Sequence, residues 1–401
     1  MTMTSLNFAE LRRKFPSLHR PLDGSGLLPV YFDNPAGTQV PQRVIDAVSN
    51  YYLTMNANQG GAFRTSQDTD TLVYATREKV ARFLNAPSAD EIVFGPNMTT
   101  LNFALSRALA QTLQAGDEIV LTRMDHDANV SPWLRIAADH GLTVRWVDII
   151  ESNCTLDLNT LEAALTDRTK IVATVHASNA VGTINPVAQI AQMAHAAGAL
   201  YVVDAVQSAP HVPIDVQAIG CDFLLCSSYK FFGPHAGILW GKYDLLAALP
   251  AYKVRPSKDV PPYRWETGTP AFELIAGVGA AVDYLLEIGM GNLAAYEREL
   301  VTHLIDVLKR TPGTHIAGIT DPADFAHRVP TVVFTLDGYT PTQVAEHLAA
   351  EGIYVWDGNY YAVEIMNRLH KPDGMVRVGL AHYNLHEEID RFEAALGKLA
   401  R

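Results

Sequence analysis

From about residue 70 to 245, short apolar runs alternate with segments whose apolar positions recur at helical spacing. Glu91-Ile92-Val93-Phe94 reads as a strand and Met98 to Leu113 as a helix. Glu118 to Thr122 is the next strand, followed by a helix from Ser131 to His140. Thr143 to Val147 and then Leu158 to Leu165 repeat the alternation. Lys170 to Val175 and Leu200 to Val203 flank a helix from Val187 to Ala197. Phe223-Leu224-Leu225-Cys226 and Ile238-Leu239-Trp240 complete the set. Continuous apolar strands separated by helices predict an α/β fold, with a mostly parallel sheet covered on both faces. Ligands in such sheets bind beyond the carboxyl ends of the strands.

The pattern changes after residue 250. Residues 250–270 are rich in Pro, Lys, Arg and Tyr and read as a loop. A long helical stretch from about Phe272 to Arg310 is interrupted by Gly289 and Gly291. Thr331 to Thr335, a helix from Thr340 to Glu351, Ile353 to Trp356 and Met375 to Val378 then make a smaller α/β unit, closed by a helix from His386 to the end. The expected division is an N-terminal segment (1–30) packing with the small unit, a large domain (31–270), and the long helix with the small C-terminal domain (271–401). The first fifteen residues read as a capped amphipathic helix without an apolar core of signal-peptide length.

Composition adds exclusions. With 401 residues, 48% hydrophobic and 18% charged, the chain can bury a sizeable core in one large domain plus a smaller one. Its net charge of −12, with no compensating basic run, argues against nucleic acid or an anionic membrane as partner. No apolar stretch approaches the ~20 residues that span a bilayer. Cys154, Cys221 and Cys226 follow no disulfide or metal spacing, so no metal site is expected and a reducing cytoplasm is the simplest location.

Two apolar strands end in chemistry. Leu200-Tyr201-Val202-Val203 runs into Asp204, and Phe223 to Cys226 runs through Ser227-Ser228-Tyr229 into Lys230 and then Gly233-Pro234. A lysine after a strand is ordinarily a surface residue. Here hydroxyls and a sharp turn surround it, and an acid ends the preceding strand. An amine at the mouth of a sheet, with a carboxylate to meet a pyridinium nitrogen, suits a Schiff-base cofactor: pyridoxal 5′-phosphate (PLP) on Lys230.

Other polar groups follow the same strand ends. Asn97-Met98-Thr99-Thr100 stands where a strand gives way to a helix and reads either as an N-cap or, beside Lys230 and Asp204, as a phosphate site. Gly60-Gly61 is a weaker phosphate candidate and matches no dinucleotide fingerprint. His126, in Met124-Asp125-His126-Asp127-Ala128-Asn129, has a flat ring suited to stacking on a pyridine, or is a solvated loop histidine. Asn179 could donate to a cofactor or substrate oxygen, or shape a turn.

Taken together, MDHDAN around His126, HASNAVGT at 176–183, VDAVQS at 203–208, SSYKFFGP at 227–234 and ETGTPA at 266–271 resemble the class V aminotransferases. Within them the chain is most similar to the branch of cysteine desulfurases and selenocysteine lyases. Tyr31-Phe32-Asp33-Asn34-Pro35-Ala36 and Arg377 extend the resemblance over nearly the whole length. It implies the fold-type-I PLP transferase architecture: a large domain with a seven-stranded sheet and a small C-terminal domain. It also implies roles. Lys230 would hold the cofactor through an imine and shuttle protons at the substrate's α- and β-carbons. Asp204 would pair with the pyridine nitrogen, Gln207 with the phenolic oxygen, and His126 would stack on the ring. Thr99, Ser227 and Tyr229 would hold the phosphate, Tyr229 standing where desulfurases usually have His. Asn179 would contact the phenolic side. Arg377 would clamp the substrate carboxylate with its planar fork, with Asn34 and Tyr361 also at the substrate. Thr269 and Arg64 would reach the site of the neighbouring subunit in a homodimer with shared active sites.

One departure bears on chemistry. Cysteine desulfurases carry a nucleophilic Cys in a C-terminal loop, whereas here the matching segment is Val355-Trp356-Asp357-Gly358-Asn359-Tyr360-Tyr361-Ala362, with Tyr361 in the Cys position. No cysteine follows Cys226, which lies in an apolar strand where a reactive thiol is not expected. Tyr360 or Tyr361 could act as an acid or base, or pack over the cofactor. The expectation is a PLP enzyme acting on a small amino acid, by β-elimination of sulfur or selenium without a persulfide. The alternatives are an aminotransferase or epimerase of the same family and a non-catalytic PLP-binding protein.

Overall fold

The computed structural model describes residues 6–21 and 26–400. Of the expected N-terminal helix, Phe8–Arg12 is helical and Asn7 caps it, its side chain accepting from the Glu10 N–H; residues 1–5 lie outside the described residues.

Seven strands form the principal sheet: β1 (Ile92–Gly95), β2 (Glu118–Thr122), β3 (Thr143–Val147), β4 (Thr169–Val175), β5 (Leu200–Asp204), β6 (Phe223–Ser227) and β7 (Gly237–Gly241), in the spatial order β1-β7-β6-β5-β4-β2-β3. Six run parallel and β7 is antiparallel to both its neighbours. Successive residues of a strand serve opposite cores, as the two-residue repeat requires. Val120, Val172, Val203 and Leu224 join one cluster, while Ile119, Ile171, Val202 and Phe223 join the other. That double burial is why these strands are apolar throughout.

Helices α1 (Gln42–Thr54), α2 (Arg64–Leu84), α3 (Met98–Ala110), α4 (Ser131–His140), α5 (Leu158–Ala164), α6 (Val187–Ala196) and α7 (Phe272–Ile288) belong to this part of the chain; α7 packs on α1 and α2. Then α8 (Met290–Arg310), α9 (Pro341–Ala350) and α10 (His386–Leu396) accompany a second sheet. It consists of β8 (Thr314–Ala317), β9 (Thr331–Leu336), β10 (Trp356–Gly358) and β11 (Met375–Gly379), in the order β8-β9-β11-β10. Leu304, Phe334, Val376 and Phe392 anchor its separate core.

Several expectations need correction. The polar segment 58–64 leads into the 21-residue α2, which the sequence pattern did not reveal. Of the two glycines expected to interrupt the long helix, only Gly289 does so, at φ 82°; Gly291 is helical. Ile353 to Trp356 is not one strand: Ile353–Tyr354 pairs in parallel with Val30–Tyr31, while Trp356 pairs with Arg377 in the second sheet. Among the described residues no single helix is long and apolar enough to cross a membrane. The α7–α8 pair reaches that composition only jointly, bent by 77°, and α7 lies largely in the core.

Candidate active site

The carboxyl ends of β1, β2, β4, β5 and β6 open on one edge of the sheet, where ligands of such folds are held. A cleft of about 930 Å³ opens there, and a recess of about 60 Å³ continues it inward. Thr99, His126, Asn179, Asp204, Gln207, Ser227, Tyr229 and Lys230 all line the recess. Arg377 and Tyr361 line the outer cleft.

Close backbone approaches build this edge. A Cβ on Gly237 would sit 2.3 Å from the Asn97 carbonyl carbon, so a side-chain-free position lets β7 lie against the start of α3. There Asn97 accepts from the Thr100 N–H at 2.8 Å, and the Met98 N–H donates to Ser227 Oγ at 3.0 Å. The exposed Thr99 faces both cavities. A Cβ on Gly379 would likewise meet the Pro35 ring at 2.1 Å. This seats Pro35 so that its carbonyl accepts from Lys230 Nζ.

Lys230 is partly buried, its Nζ 4.9 Å from the Tyr229 ring centre. Burial, then the Arg377 charge, lowers its amine to about 7, against the opposing pull of Asp204 and Asp33. Asp204 is fully buried; its Oδ1 accepts from the Val206 N–H at 2.9 Å. Burial raises its carboxyl to about 6, with that hydrogen bond and Lys230 acting the other way. His126 Nδ1 accepts from the Ala128 N–H at 3.0 Å, leaving the proton of a neutral ring on Nε2. Burial, Lys230 and Arg377 hold it neutral, lowered to about 4. Tyr229 stacks on His235 at 4.9 Å.

Arg377 comes from β11 and is buried, with Nη1 donating to Asn179 O at 3.0 Å and Nε without a protein partner. Burial lowers the guanidinium to about 10. Beneath it lies the Tyr360 ring, whose hydroxyl donates to Met375 O. Tyr360 and Tyr361 both adopt left-handed backbone, φ 53° and 57°, an uncommon conformation for aromatic residues that clusters at functional sites. Tyr361 is 71% exposed, and its ring lies 5.6 Å from that of His126. Its carbonyl accepts from the Asp127 N–H at 2.6 Å.

Asn34, expected at the substrate, lies outside the cleft, and Thr269 and Arg64, expected at the neighbouring subunit's site, stand away from this protomer's own. Asn34 does not line the cleft: its amide donates to Tyr31 O, Gly379 O and Asn384 Oδ1, and its oxygen accepts from Tyr383. It is a strut, and its amide is committed. Thr269 is exposed and lines a different cavity, about 360 Å³, with Phe94, Thr100, His235 and Trp265. Arg64 is exposed and pairs with Asp68 at 3.5 Å. Cys226 is wholly buried and burial pushes its thiol up, the reverse of the exposed, lowered setting that a reactive thiol takes.

Two acids had no expected role. Asp33, raised to about 6 by burial, acts electrostatically on both Lys230 and Arg377. Asp125 accepts from Asn129 Nδ2 at 2.7 Å and from Thr122, and burial raises its carboxyl. Those bonds fix the turn that aims His126 at the recess. The signal for Asp125 was its place directly after a strand end, beside His126.

The polar groups lining the recess suit PLP. Asn179 Oδ1, Gln207 Oε1 and Arg377 Nε are buried polar atoms without protein partners, all facing these cavities, and buried polar atoms in native proteins are ordinarily satisfied. A buried carboxylate, a neutral flat ring, a depressed amine and hydroxyls at a helix start match the cofactor's ring nitrogen, face, aldehyde and phosphate respectively.

Comparison with known proteins agrees. The family model "Aminotransferase class-V" matches residues 30–392. A cysteine desulfurase of Synechococcus elongatus is 38% identical, over 97% of this chain and 63% of its own length. The chain thus spans less than two thirds of that relative. A probable cysteine desulfurase of Synechocystis is 37% identical, over 97% of this chain and 94% of its own. The apo structure of a cysteine desulfurase from Thermococcus onnurineus superposes with a TM-score of 0.91 at 29% identity, covering 99% of both chains.

Proposed function

The chain belongs to the class V aminotransferase family, and from that membership we propose that it is a PLP-dependent lyase. It removes a sulfur or selenium β-substituent from a small amino acid by elimination, without a persulfide cysteine. When bound, the cofactor supplies an electron sink conjugated to the substrate's α-carbon.

Each residue's part follows from its setting. Lys230 Nζ, lowered to about 7, is unprotonated in about half of the molecules at neutrality, and it is the group that would hold the aldehyde and take the proton from Cα. Asp204 pairs with the ring nitrogen, a cation that stabilises its buried charge. Neutral His126 stacks without adding charge. Gln207 and Asn179 face the phenolic oxygen, while Thr99, Ser227 and Tyr229 hold the phosphate. Arg377 takes the substrate carboxylate, and the Tyr360 ring beneath it fixes its plane. Tyr361 covers the β-substituent at the cleft mouth. With cysteine the balance is cysteine plus water giving pyruvate, ammonia and hydrogen sulfide.

The observation that carries this reading is the location of the thiols. Cys154, Cys221 and Cys226 are all buried, and none lines the cleft or the recess. We further propose a homodimer in which Thr269 of each protomer serves the other's phosphate site, residues 31–270 binding the cofactor and 271–401 comprising the long helix and the small C-terminal domain. Its location is the cytoplasm and its partner a small amino acid, with neither nucleic acid nor membrane.

Product analysis tests the reaction. The PLP-loaded protein is incubated with cysteine, selenocysteine and a panel of other amino acids. Pyruvate with sulfide or selenide is the expected result. Alanine with sulfane sulfur would instead make it a desulfurase, keto-acid exchange an aminotransferase, and inversion at Cα an epimerase. Bound cofactor with no product from any amino acid would mark a non-catalytic PLP-binding protein.

A further inference from the structure

The outer cleft is larger and more acidic than free cysteine requires. Its volume, about 930 Å³, stands at the upper end of the ~300–1,000 Å³ that holds drug-sized ligands, and the recess continues it inward. Arg377 Nε and Asn179 Oδ1 face it without a protein partner, on residues only 4% and 8% exposed. Buried polar atoms of that kind call for a ligand, and the walls beyond Arg377 define its outer end.

Trp356 stands opposite Arg377 across β10 and β11, and opposed residues of paired strands share one face of the sheet. Both line the cleft. A substrate whose carboxylate sits on Arg377 therefore has the half-exposed Trp356 ring beside it, with the Tyr361 ring at the mouth. Aromatic faces left open inside a cleft suit an apolar group or a cation.

Charge separates those two. Asp127, Asp357 and Asp373 line the same cleft. Asp127 accepts from Ser131 Oγ at 2.5 Å and Asp357 from Thr342 Oγ1 at 2.6 Å. Hydroxyls leave the carboxylate charge unopposed, and among the described residues none of the three acids forms an ion pair. The only basic side chains lining the cleft are Lys230 and Arg377, which the elimination reading commits to the α-carbon and the carboxylate; His126 is held neutral. Lys371 shares the loop of Asp373 but does not line the cleft. An anionic substituent would be repelled here and an apolar one left beside three carboxylates, whereas a cation is matched by the acids and the rings together.

We propose that the group removed at this site is a thiol or selenol bearing a second amino group, so that the substrate is a cysteine conjugate with a cationic arm and not free cysteine. The inference rests on the elimination reading. The Cα–H and Cβ–S bonds break, a Cα=Cβ bond forms, the departing sulfur takes a proton, and water hydrolyses the resulting enamine. S-(2-aminoethyl)cysteine plus water thus gives pyruvate, ammonia and 2-aminoethanethiol.

The test compares S-substituted cysteines of matched length on the PLP-loaded protein: S-(2-aminoethyl)cysteine, neutral S-propylcysteine and anionic S-(carboxymethyl)cysteine, with free cysteine beside them. Pyruvate and thiol release are measured. The expected kcat/KM for the aminoethyl compound exceeds that for S-propylcysteine by about tenfold, with the anionic compound lowest. The ratio should shrink in about 1 M salt, which screens partly exposed charges, and fall to within about twofold in Asp357→Asn with Asp373→Asn. Because both substrates meet the same protein, a general loss of fold or cofactor does not move the ratio. A ratio near one, a preference for the neutral or anionic compound, cysteine as the sole substrate, or a ratio that the double variant leaves intact overturns the proposal, and pyruvate formation keeps the lyase reading. Pyruvate from none of the compounds, with the cofactor absorbance present, overturns both. Should the double variant not fold, Asp373→Asn alone makes the same comparison, since its carboxylate bonds to nothing among the described residues.

Discussion

The Arg377 guanidinium carbon lies 4.2 Å from the centre of the Tyr360 ring, and both are buried. A desolvated cation over an aromatic face gains up to about 2 kcal/mol, and the ring also fixes the plane in which the fork presents its N–H groups. Tyr360→Leu is therefore expected to raise KM for the amino acid about tenfold, with a smaller effect on kcat. Tyr360→Phe, which keeps the face and loses only the bond to Met375, should stay near wild type in KM. Steady-state kinetics on the three proteins decides it; equal KM in all of them would remove the ring from the account.

Lys230 gives a prediction on the apoprotein alone. Its folded pKa of about 7 lies below the unfolded value of about 10.4. Between these pH values the unfolded chain binds the additional proton, so this group makes stability rise with pH across that window and is most costly below it. Apo Lys230→Met should accordingly be more stable than apo wild type at pH 7, and the gap should narrow toward pH 10. Urea denaturation at both pH values checks this, because other titrating groups cancel in the comparison. With PLP, the same variant should lose turnover by at least about 10²-fold. PLP capture by wild type should accelerate as pH rises through about 7 and level off about one unit above it.

Glu266 ties the loop that carries Thr269 to the sheet. It accepts from Arg77 through both oxygens, at 2.8 and 2.7 Å, and from the Phe94 N–H at 2.8 Å. The side chains are 2% and 7% exposed. Removing one member of a buried pair leaves an uncompensated charge, so Glu266→Ala should cost about 3–5 kcal/mol of stability. The double replacement Arg77→Met with Glu266→Leu should recover most of that loss. Chemical denaturation of the two variants distinguishes a buried pair from a solvated one, for which both losses would be small.

The contrast between Asp204 and Asn34 shows what the sequence could reveal. Asp204 ends a strand buried on both faces, and that leaves a continuous apolar run in the chain, so its place at the sheet's ligand edge could be read directly. His126, Asn179 and Lys230 are legible for the same reason. Asn34 bonds Gly379 and Asn384, 345 and 350 residues away, and no local pattern records such contacts. Helix α2 was hidden because its buried positions include Ser66, Thr69, Thr76 and Arg77, which blur the apolar stripe. Gly289 and Gly291 look alike in sequence, yet only the first takes a positive φ. The split at Val355 arises because its neighbours pair with different sheets.

The cysteines provide the sharpest test of elimination against persulfide transfer. Cys154, Cys221 and Cys226 have no measurable exposure. Burial raises the Cys154 thiol to about 11 and the other two further. A nucleophilic thiolate needs the opposite, a lowered pKa and access. Replacing all three by Ala should leave kcat for β-elimination within about threefold of wild type, a change of roughly 0.6 kcal/mol in the barrier. Mass spectrometry after turnover with cysteine should find no added sulfur on any thiol of the wild type. A loss of a hundredfold in Cys226→Ala, with fold and cofactor absorbance intact, would mean that sulfur passes through that residue, and the elimination reading would then fail.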